Sequence, residues 1–351
     1  MKIKSVNPYT EEVNWIYDAL SFRNCEDHIE KARIAFLEWS SLSVEKRTAY
    51  ISRVSGVLRQ NRRAYAEIIT KETGKPIRLS LEEIEQCAWI CDYYAENAAG
   101  FLKDESAETE TEKIYITFEP LGIILGIMSW NSPFLQVFRF AVPTMLAGNV
   151  CLIKHASNVP GSALEVEKVF NEAGLPQNVF KTLLIGAETA MEIIDEDIVD
   201  GVSVTGSVRL GAEIGEIAGR MIKPLVLELR GSDPFIVLED ADLDRAAEVA
   251  VRSCFLSTGQ SCIAARRFIV IEDVVVDFIE AFEQRMQDLK IGDPMNEETD
   301  IGPVAKKEFL DSLEKILKDA KKKGAEPHIL RGEYKKGYFF KPTLSLQPVL
   351  I

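Results

Sequence analysis

The sequence predicts an α/β protein built from two doubly wound parallel sheets, the second of them incomplete. Three observations carry this reading. From Ile114 onward, strand-like and helix-like segments alternate, the pattern of a parallel sheet with helices on both faces. The length suits about two domains, and Arg230-Gly231-Ser232-Asp233-Pro234 is a turn signal between two sets of α/β units. The chain closes on an apolar stretch that reads as a strand entering a core, Gly337 to Leu344, with Ile351 soon after.

The elements follow in order. Helical spacing dominates the first hundred residues, with Ala32, Ala35, Phe36 and Trp39 on one stripe and Ile51, Val54, Val57 and Leu58 on another. Ile114 to Phe118 alternates like a strand, and Gly122 to Ile127 reads as a buried one. Val150 to Ile153 is a strand, and Ser162 to Ala173 a helix stopped by Gly174 and Pro176. Strand, helix, strand and helix then follow at Val179–Leu184, Ala187–Ile194, Gly201–Thr205 and Leu210–Gly219. In the second set, Leu225–Leu227, Phe235–Leu238 and Arg267–Ile271 are strands, and Leu243 to about Leu256 is a helix. Lys306 to Lys323 is an amphipathic helix through Phe309, Leu313, Ile316 and Leu317, ended by Gly324. These patterns set the domains at 1–229, with a bridging strand segment near 112–120, and 230–351.

Composition narrows the function classes. With 41 basic against 55 acidic residues the net charge is -14, which argues against nucleic acid or an anionic membrane as partner. The start has no signal-peptide apolar region, and Leu121 to Met128, the most apolar run, is far too short to span a bilayer. Six cysteines in a chain of this length are expected as free thiols in a reducing, cytoplasmic compartment.

No Gly-x-Gly-x-x-Gly occurs. The nearest pattern is Thr205-Gly206-Ser207-Val208-Arg209-Leu210-Gly211, where a strand hands over to a helix. Such a junction offers backbone N–H groups and a positive helix end to a pyrophosphate, though any strand-to-helix turn has the same look. Lys154 closes a strand, where ligands bind in open α/β sheets, and a lysine there reaches ribose hydroxyls or simply faces solvent. His155 beside it reads as structural. Cys262, in Ser257-Thr258-Gly259-Gln260-Ser261-Cys262, has small neighbours that leave a thiol approachable. Cys25, Cys87, Cys91, Cys151 and Cys254 read as small buried hydrophobes with no Cys/His set for zinc. Glu228 ends an apolar strand beside a glycine turn, a place for a base raised by burial or for an ordinary surface carboxylate. Asn131, in Ser129-Trp130-Asn131-Ser132-Pro133, follows a buried strand; its amide suits an oxyanion or a helix cap.

Together these segments resemble the aldehyde dehydrogenase superfamily, from Asn7-Pro8-Tyr9-Thr10 to the last residues. Trp130-Asn131, Ala147-Gly148-Asn149, Lys154, Thr205-Gly206-Ser207, Glu228-Leu229 and Gly259-Gln260-Ser261-Cys262 carry the match. Lys154-His155-Ala156-Ser157-Asn158-Val159 and Gly231-Ser232-Asp233-Pro234-Phe235 look closest to succinate-semialdehyde dehydrogenases. The resemblance implies a dinucleotide-binding domain over 1–229 and a catalytic thiol domain over 230–351, incomplete at its C-terminus. It implies Cys262 as nucleophile, Glu228 as base and Asn131 as oxyanion donor, through a thiohemiacetal and a thioester. The cofactor, NAD or NADP, is implied to lie on Trp130, Lys154, Ser157, Gly206, Ser207, Gly211 and Leu229. Ser157 stands where a carboxylate would repel a 2′-phosphate. Arg139 is placed to pair with a second carboxylate on the aldehyde, or to sit in solvent. No metal is implied.

Two departures stand out. The family's Glu-Leu-Gly-Gly is Glu228-Leu229-Arg230-Gly231 here, and the cation is expected to crowd the nicotinamide or pair with Glu228. The family continues past Ile351 with a cofactor motif and the strands that pair subunits into homo-oligomers. The alternative to an active enzyme is therefore a remnant or split-protein subunit that binds nucleotide or a partner chain.

Overall fold

The structure is a computed structural model that describes residues 1–107, 114–330 and 336–346. The chain forms two compact units. The first comprises Met1–Ser5, Trp15–Ile68 and Leu81–Leu229, and the second Val6–Asn14, Ile69–Ser80 and Arg230–Ile351.

The chain opens with a two-stranded sheet that the periodicity did not announce, β1 (Lys2–Val6) and β2 (Val13–Asp18). The turn between them forms because the Asn7 side chain accepts from the amides of Tyr9 and Thr10. Helices α1 (Phe22–Ser40), α2 (Val44–Gln60), α3 (Arg62–Thr73) and α4 (Ile77–Phe101) follow. Ser21 caps α1 by accepting from the Asn24 amide. The two apolar stripes are confirmed: α1 buries Ala32, Ala35 and Trp39, and α2 buries Ile51, Val54 and Leu58. A short antiparallel pair, β3 (Glu105–Ala107) and β4 (Ile114–Ile116), comes next. Residues 112–113 of the expected bridging segment lie outside the described residues.

The heart of the first unit is a parallel sheet of β5 (Ile123–Met128), β6 (Val150–His155), β7 (Phe180–Thr182), β8 (Gly201–Gly206) and β9 (Leu225–Leu229). Their spatial order is β7-β6-β5-β8-β9. The chain winds outward from β5, returns to place β8 on its other side, and winds outward again. The order reverses between β5 and β8, and there the carboxyl ends of strands open a crevice. Every residue of β5 is buried, as a central parallel strand requires. Helices α5 (Pro133–Leu146) and α6 (Pro160–Glu172) pack together on one face, with α2 outside them. Helices α7 (Ala187–Asp195) and α8 (Val208–Arg220) pack with α1 against the other. Ala147-Gly148-Asn149 proves to be scaffolding. Gly148 takes φ +96 after α5, and Asn149 Oδ1 accepts from the amides of Leu121 and Gly122, pinning the start of β5.

The second unit has a parallel pair, β10 (Pro234–Val237) and β11 (Arg267–Val270), with α9 (Leu243–Cys254) and α10 (Val275–Gln287). Side chains alternate along a strand. Phe235, Val237, Phe268 and Val270 turn toward Ala247, Val251, Phe278 and Phe282, forming a small aromatic core. Their neighbours Ile236, Leu238, Ile269 and Ile271 are exposed by 41 to 62%. Helix α11 (Lys307–Lys322) is amphipathic as expected, yet it buries no residue fully and Ile316 is 64% exposed. The expected strand over Gly337–Leu344 is shorter. Gly337 at φ +91 and Pro342 hold that stretch as a loop, and only β13 (Thr343–Leu346) pairs, with β12 (Glu326–Ile329). Residues 347–351, including the apolar ending at Ile351, lie outside the described residues.

Two glycines in this unit meet backbone to backbone. A Cβ on Gly302 would lie 2.0 Å from the Gly74 carbonyl oxygen, and one on Gly74, at φ +75, would lie 2.6 Å from the Pro303 carbonyl. Gly302→Ala is therefore expected to cost roughly 3 kcal/mol of unfolding free energy, as overpacking against backbone does. Gly324→Ala, with open space around its Cβ position, tests φ strain alone and is expected to cost less. Urea unfolding of both variants checks the ranking.

Candidate active site

In the first unit, parallel pairing brings the sequence-predicted residues to one sheet edge. Lys154 and Val204 both lie opposite Ile127, Thr205 lies opposite Glu228, and Gly206 opposite Leu229. Ser129, Trp130 and Asn131 continue from the end of β5, and Ser157 from the end of β6. All are therefore at the carboxyl ends of strands on either side of the reversal.

Each position has a local cause. Ser207 Oγ accepts from the Leu210 amide and caps α8. The helix thus begins directly after β8, with its positive end at the crevice. A Cβ on Gly211 would lie 2.6 Å from Leu229 Cδ2, so glycine lets α8 seat against β9. Strand parity sends Glu228 and Leu229 to opposite faces. Leu229 packs on α8, while Glu228 joins Arg139, Gln136, Ser203, Thr205 and Val226 around a cleft of about 340 Å³. The cleft exists because α5 and α6 cover only the β5–β6–β7 side of their face. Glu228 is exposed, as the surface-carboxylate reading has it and not the reading of a base raised by burial, because β9 is the edge strand of its sheet. Arg139 and Ser157 are exposed, and Trp130, Asn131 and Lys154 are half-buried.

The loop bearing Cys262 belongs to the second unit. Ser257, Thr258 and Gly259 all have positive φ, at 53°, 60° and 69°. That is an unfavourable region for serine, and more so for β-branched threonine, and it persists only where surroundings hold it. They do. Thr258 Oγ1 donates to the Gly302 carbonyl and accepts from the Gly302 amide, and Gln260 Oε1 accepts from the Ala305 amide. Arg266 donates to the Ser261 carbonyl next to the cysteine. Cys262 is half-buried. Burial pushes the thiols of Cys25 and Cys254 up to about 11, and those of Cys91 and Cys151 further up, which keeps them as inert thiols. Cys254 is half-buried rather than fully buried. Arg230 is exposed.

Three side chains were not assigned a role from sequence. Glu83 on α4 is buried, and one of its oxygens accepts from the amides of Phe134 and Leu135, capping α5. His155 is buried and bonds through Nε2 to the Pro133 carbonyl at 2.8 Å. Ser129 Oγ donates to Asn131 Oδ1 at 2.8 Å. The serine lies two residues before the asparagine, a spacing known for side-chain turns. Glu83, one acid among 55, carries no such signal.

A profile of the aldehyde dehydrogenase family matches residues 1–348. The chain belongs to that family. It is 43% identical over 310 residues to the probable succinate-semialdehyde dehydrogenase [NADP(+)] of Synechocystis, covering 88% of this chain and 68% of that one. It is 40% identical over 342 residues to the succinate semialdehyde dehydrogenase [NAD(P)+] Sad of Escherichia coli, covering 97% and 74%. The succinic semialdehyde dehydrogenase of Streptococcus pyogenes, solved with NADP+, superposes with a TM-score of 0.95 at 34% identity, covering 98% and 76%. The two-sheet α/β fold read from the sequence is the fold of these relatives. Among the described residues, no helix is long and apolar enough to cross a membrane.

Burial lowers the His155 imidazole from 6.5 to about 4, with its contact to the Pro133 carbonyl opposing the shift. Between these two values the unfolded chain binds a proton that the folded chain excludes. His155 thus costs no stability above pH 6.5 and up to roughly 3 kcal/mol as the pH falls to about 4. Unfolding free energies at pH 7 and 4.5 are expected to show a smaller acid loss in His155→Gln than in the parent. Equal losses would rule this out.

Proposed function

We propose that this protein oxidises an aldehyde carrying a second carboxylate, of the succinate semialdehyde class, to the acid with NAD or NADP. The observation that carries the substrate class is the shared cleft, where Arg139 lies with Glu228 along α5 and the β8–β9 edge. An arginine suits a carboxylate through paired N–H donors. The names of the relatives point the same way.

The residues present fit a dinucleotide. Gly211 lets α8 seat beside β9, so the helix N-terminus stands at the crevice to receive the pyrophosphate, with Gly206 and Ser207 at the turn. Lys154 would hold ribose hydroxyls, and Trp130 and Leu229 would complete the cofactor site. Ser157, exposed and uncharged, does not repel a 2′-phosphate, so NADP is admitted alongside NAD. When bound, the nicotinamide accepts hydride from the substrate carbon.

Cys262 attacks as the thiolate, forming a bond from Sγ to the aldehyde carbon and moving the carbonyl electrons onto oxygen. The Asn131 amide and the Cys262 backbone N–H donate to that oxyanion. After oxidation the substrate is a thioester on Cys262. Glu228 takes a proton from water, the resulting hydroxide adds to the thioester carbon, and the C–S bond breaks to release the acid and the thiolate.

Cys262→Ala is expected to abolish reduction of NAD(P) by succinate semialdehyde; undiminished turnover would overturn the assignment. Arg139→Met is expected to raise KM for succinate semialdehyde about tenfold, the scale of one charge-assisted pair, while leaving butyraldehyde unchanged. An equal effect on both aldehydes would remove the carboxylate reading and leave the chemistry intact.

One observation favours a second reading, in which the chain also works as a subunit binding a partner chain. Parallel sheets are normally covered on both faces, yet the β10–β11 sheet exposes Ile236, Leu238, Ile269 and Ile271. On this reading the chain sediments above its 39.3 kDa, and Ile236→Lys with Ile269→Lys returns it to the monomer. A parent chain that is already monomeric would reject it.

A further inference from the structure

When the Cys262 sulfur bonds a carbonyl carbon, the oxygen on that carbon takes up negative charge, and the backbone donor on the same residue is the Cys262 N–H. That donor is free: among the described residues nothing accepts from it. The next two amides are taken, Ile263 N by Ser261 Oγ at 3.3 Å and Ala264 N by the Ser261 carbonyl at 3.4 Å. The direction of the free donor is set by one rigid unit. The Ser261–Cys262 peptide is planar, with its C=O and N–H pointing opposite ways. Rotation of that plane swings the donor with little movement of the chain on either side, and a hold on the carbonyl end fixes the N–H end.

Arg266 supplies that hold. Its guanidinium Nη2 donates to the Ser261 carbonyl oxygen at 2.9 Å. The polarity is fixed, since a guanidinium only donates and a carbonyl only accepts. The Ala264 amide reaches the same oxygen at 3.4 Å, a poor bond beside it. The chain on both sides is fastened within the same unit. Before the peptide, Thr258 Oγ1 accepts from the Gly302 amide at 3.2 Å and Gln260 Oε1 from the Ala305 amide at 3.0 Å. After it, the Ala265 amide donates to Ser253 Oγ at 3.2 Å. Rotation of the Ser261–Cys262 plane is a freedom that these fastenings leave, and the Arg266 bond removes it. The cation also draws electron density through the delocalised peptide toward the carbonyl oxygen, which makes the Cys262 N–H a stronger donor.

We infer that Arg266 is a positioning residue: its guanidinium holds the Ser261–Cys262 peptide in one plane, with the Cys262 N–H left free and strengthened for the oxyanion. This rests on the proposed role of Cys262. Arg266 acts only through the peptide that precedes Cys262, and every group involved belongs to the second unit.

The test uses the whole chain and three readouts. In steady-state kinetics with succinate semialdehyde and NADP, Arg266→Met is expected to lower kcat about tenfold, the low end for a charge-assisted bond because Arg266 is exposed. KM for the aldehyde and Kd for NADP should stay within about twofold. Arg266→Lys, which keeps a charged donor, should recover part of the rate. An unchanged kcat in Arg266→Met, or Arg266→Lys no better than Arg266→Met, would overturn the inference. Alkylation of Cys262 by iodoacetamide builds no oxyanion, so its rate should stay within about twofold in Arg266→Met, as removal of an exposed, screened charge allows. A fall matching that of kcat means that the arginine acts on the thiol or on the whole loop, and overturns the inference. The third readout needs no turnover. In protein labelled with heavy-nitrogen cysteine, the Cys262 amide signal, identified by its loss in Cys262→Ala, is expected to shift in Arg266→Met, because the nitrogen and the carbonyl share one delocalised bond. The signals of Cys25, Cys87, Cys91 and Cys151, all in the first unit, should stay in place. A Cys262 signal that does not move overturns the hold on the peptide. If it moves while Cys262→Ala keeps full turnover, the nucleophile reading fails and the hold on the peptide stands.

Discussion

The hydrogen-bond ladders that β5 makes with β6 on one side and β8 on the other organise the first unit. Lys154 and Val204 are brought opposite the same residue, Ile127, although 50 positions separate them in the chain. Because the pairing is parallel, all strands end on the same side, and everything that follows a strand end collects there. Trp130 and Asn131, Lys154, Gly206 and Ser207, and Glu228 and Leu229 are four such endings. A register slip of one residue in β8 or β9 would turn each of their side chains to the opposite face. The full burial of β5 makes such a slip costly, so the site inherits its precision from the core.

Clamps refine what the ladder sets up. Asp200 accepts from the Ile123 amide, and Asn149 from the amides before it, so the start of β5 is fixed by one half-buried and one buried polar side chain. Glu83 and His155 do the same at its exit. These bonds satisfy backbone groups that would otherwise be buried without partners, which costs more than an ordinary hydrogen bond gains. The loop of Cys262 follows the same logic by other means. There the backbone takes a strained left-handed course through Ser257 and Thr258, and Thr258 and Gln260 hold it by bonds to the 302–305 segment. In both units a candidate site residue sits on a short irregular stretch held by side chains distant in sequence.

Much of this was legible in the sequence, for identifiable reasons. Buried parallel strands are continuous apolar runs, helices repeat their apolar residues, and glycines and asparagines mark turns, so the strands over Gly122–Ile127 and Val150–Ile153 and the helix over Leu210–Gly219 could be read directly, with their ends one or two residues off. Cys262, Glu228 and Asn131 each have an ordinary reading when taken alone, and the family resemblance singled them out as candidates. The opening β1–β2 sheet was missed because its strands are rich in polar residues, with Lys2, Lys4 and Ser5 in β1 and Asn14 and Asp18 in β2. The stretch around Gly337 was over-read, since an aromatic run looks like a strand until a positive φ and a proline are placed within it. The sequence left Glu228 open between a buried base and a surface carboxylate, and the edge position of β9 decided for the surface.

What the sequence determined by itself was local: which segments form strands and helices, and which side chains are candidates for chemistry. Those follow from periodicity, propensity and the nature of single residues. Tertiary structure alone decided the order β7-β6-β5-β8-β9, the presence of Arg139 and Glu228 around one cleft, and the grip of Glu83 and His155 on the turn after Asn131. The bonds from Glu83 and His155 span 51 and 22 positions, and no local pattern encodes partners so far apart. They arise only when the sheet closes and the free energy of burying polar groups selects which of many acids and imidazoles will satisfy them.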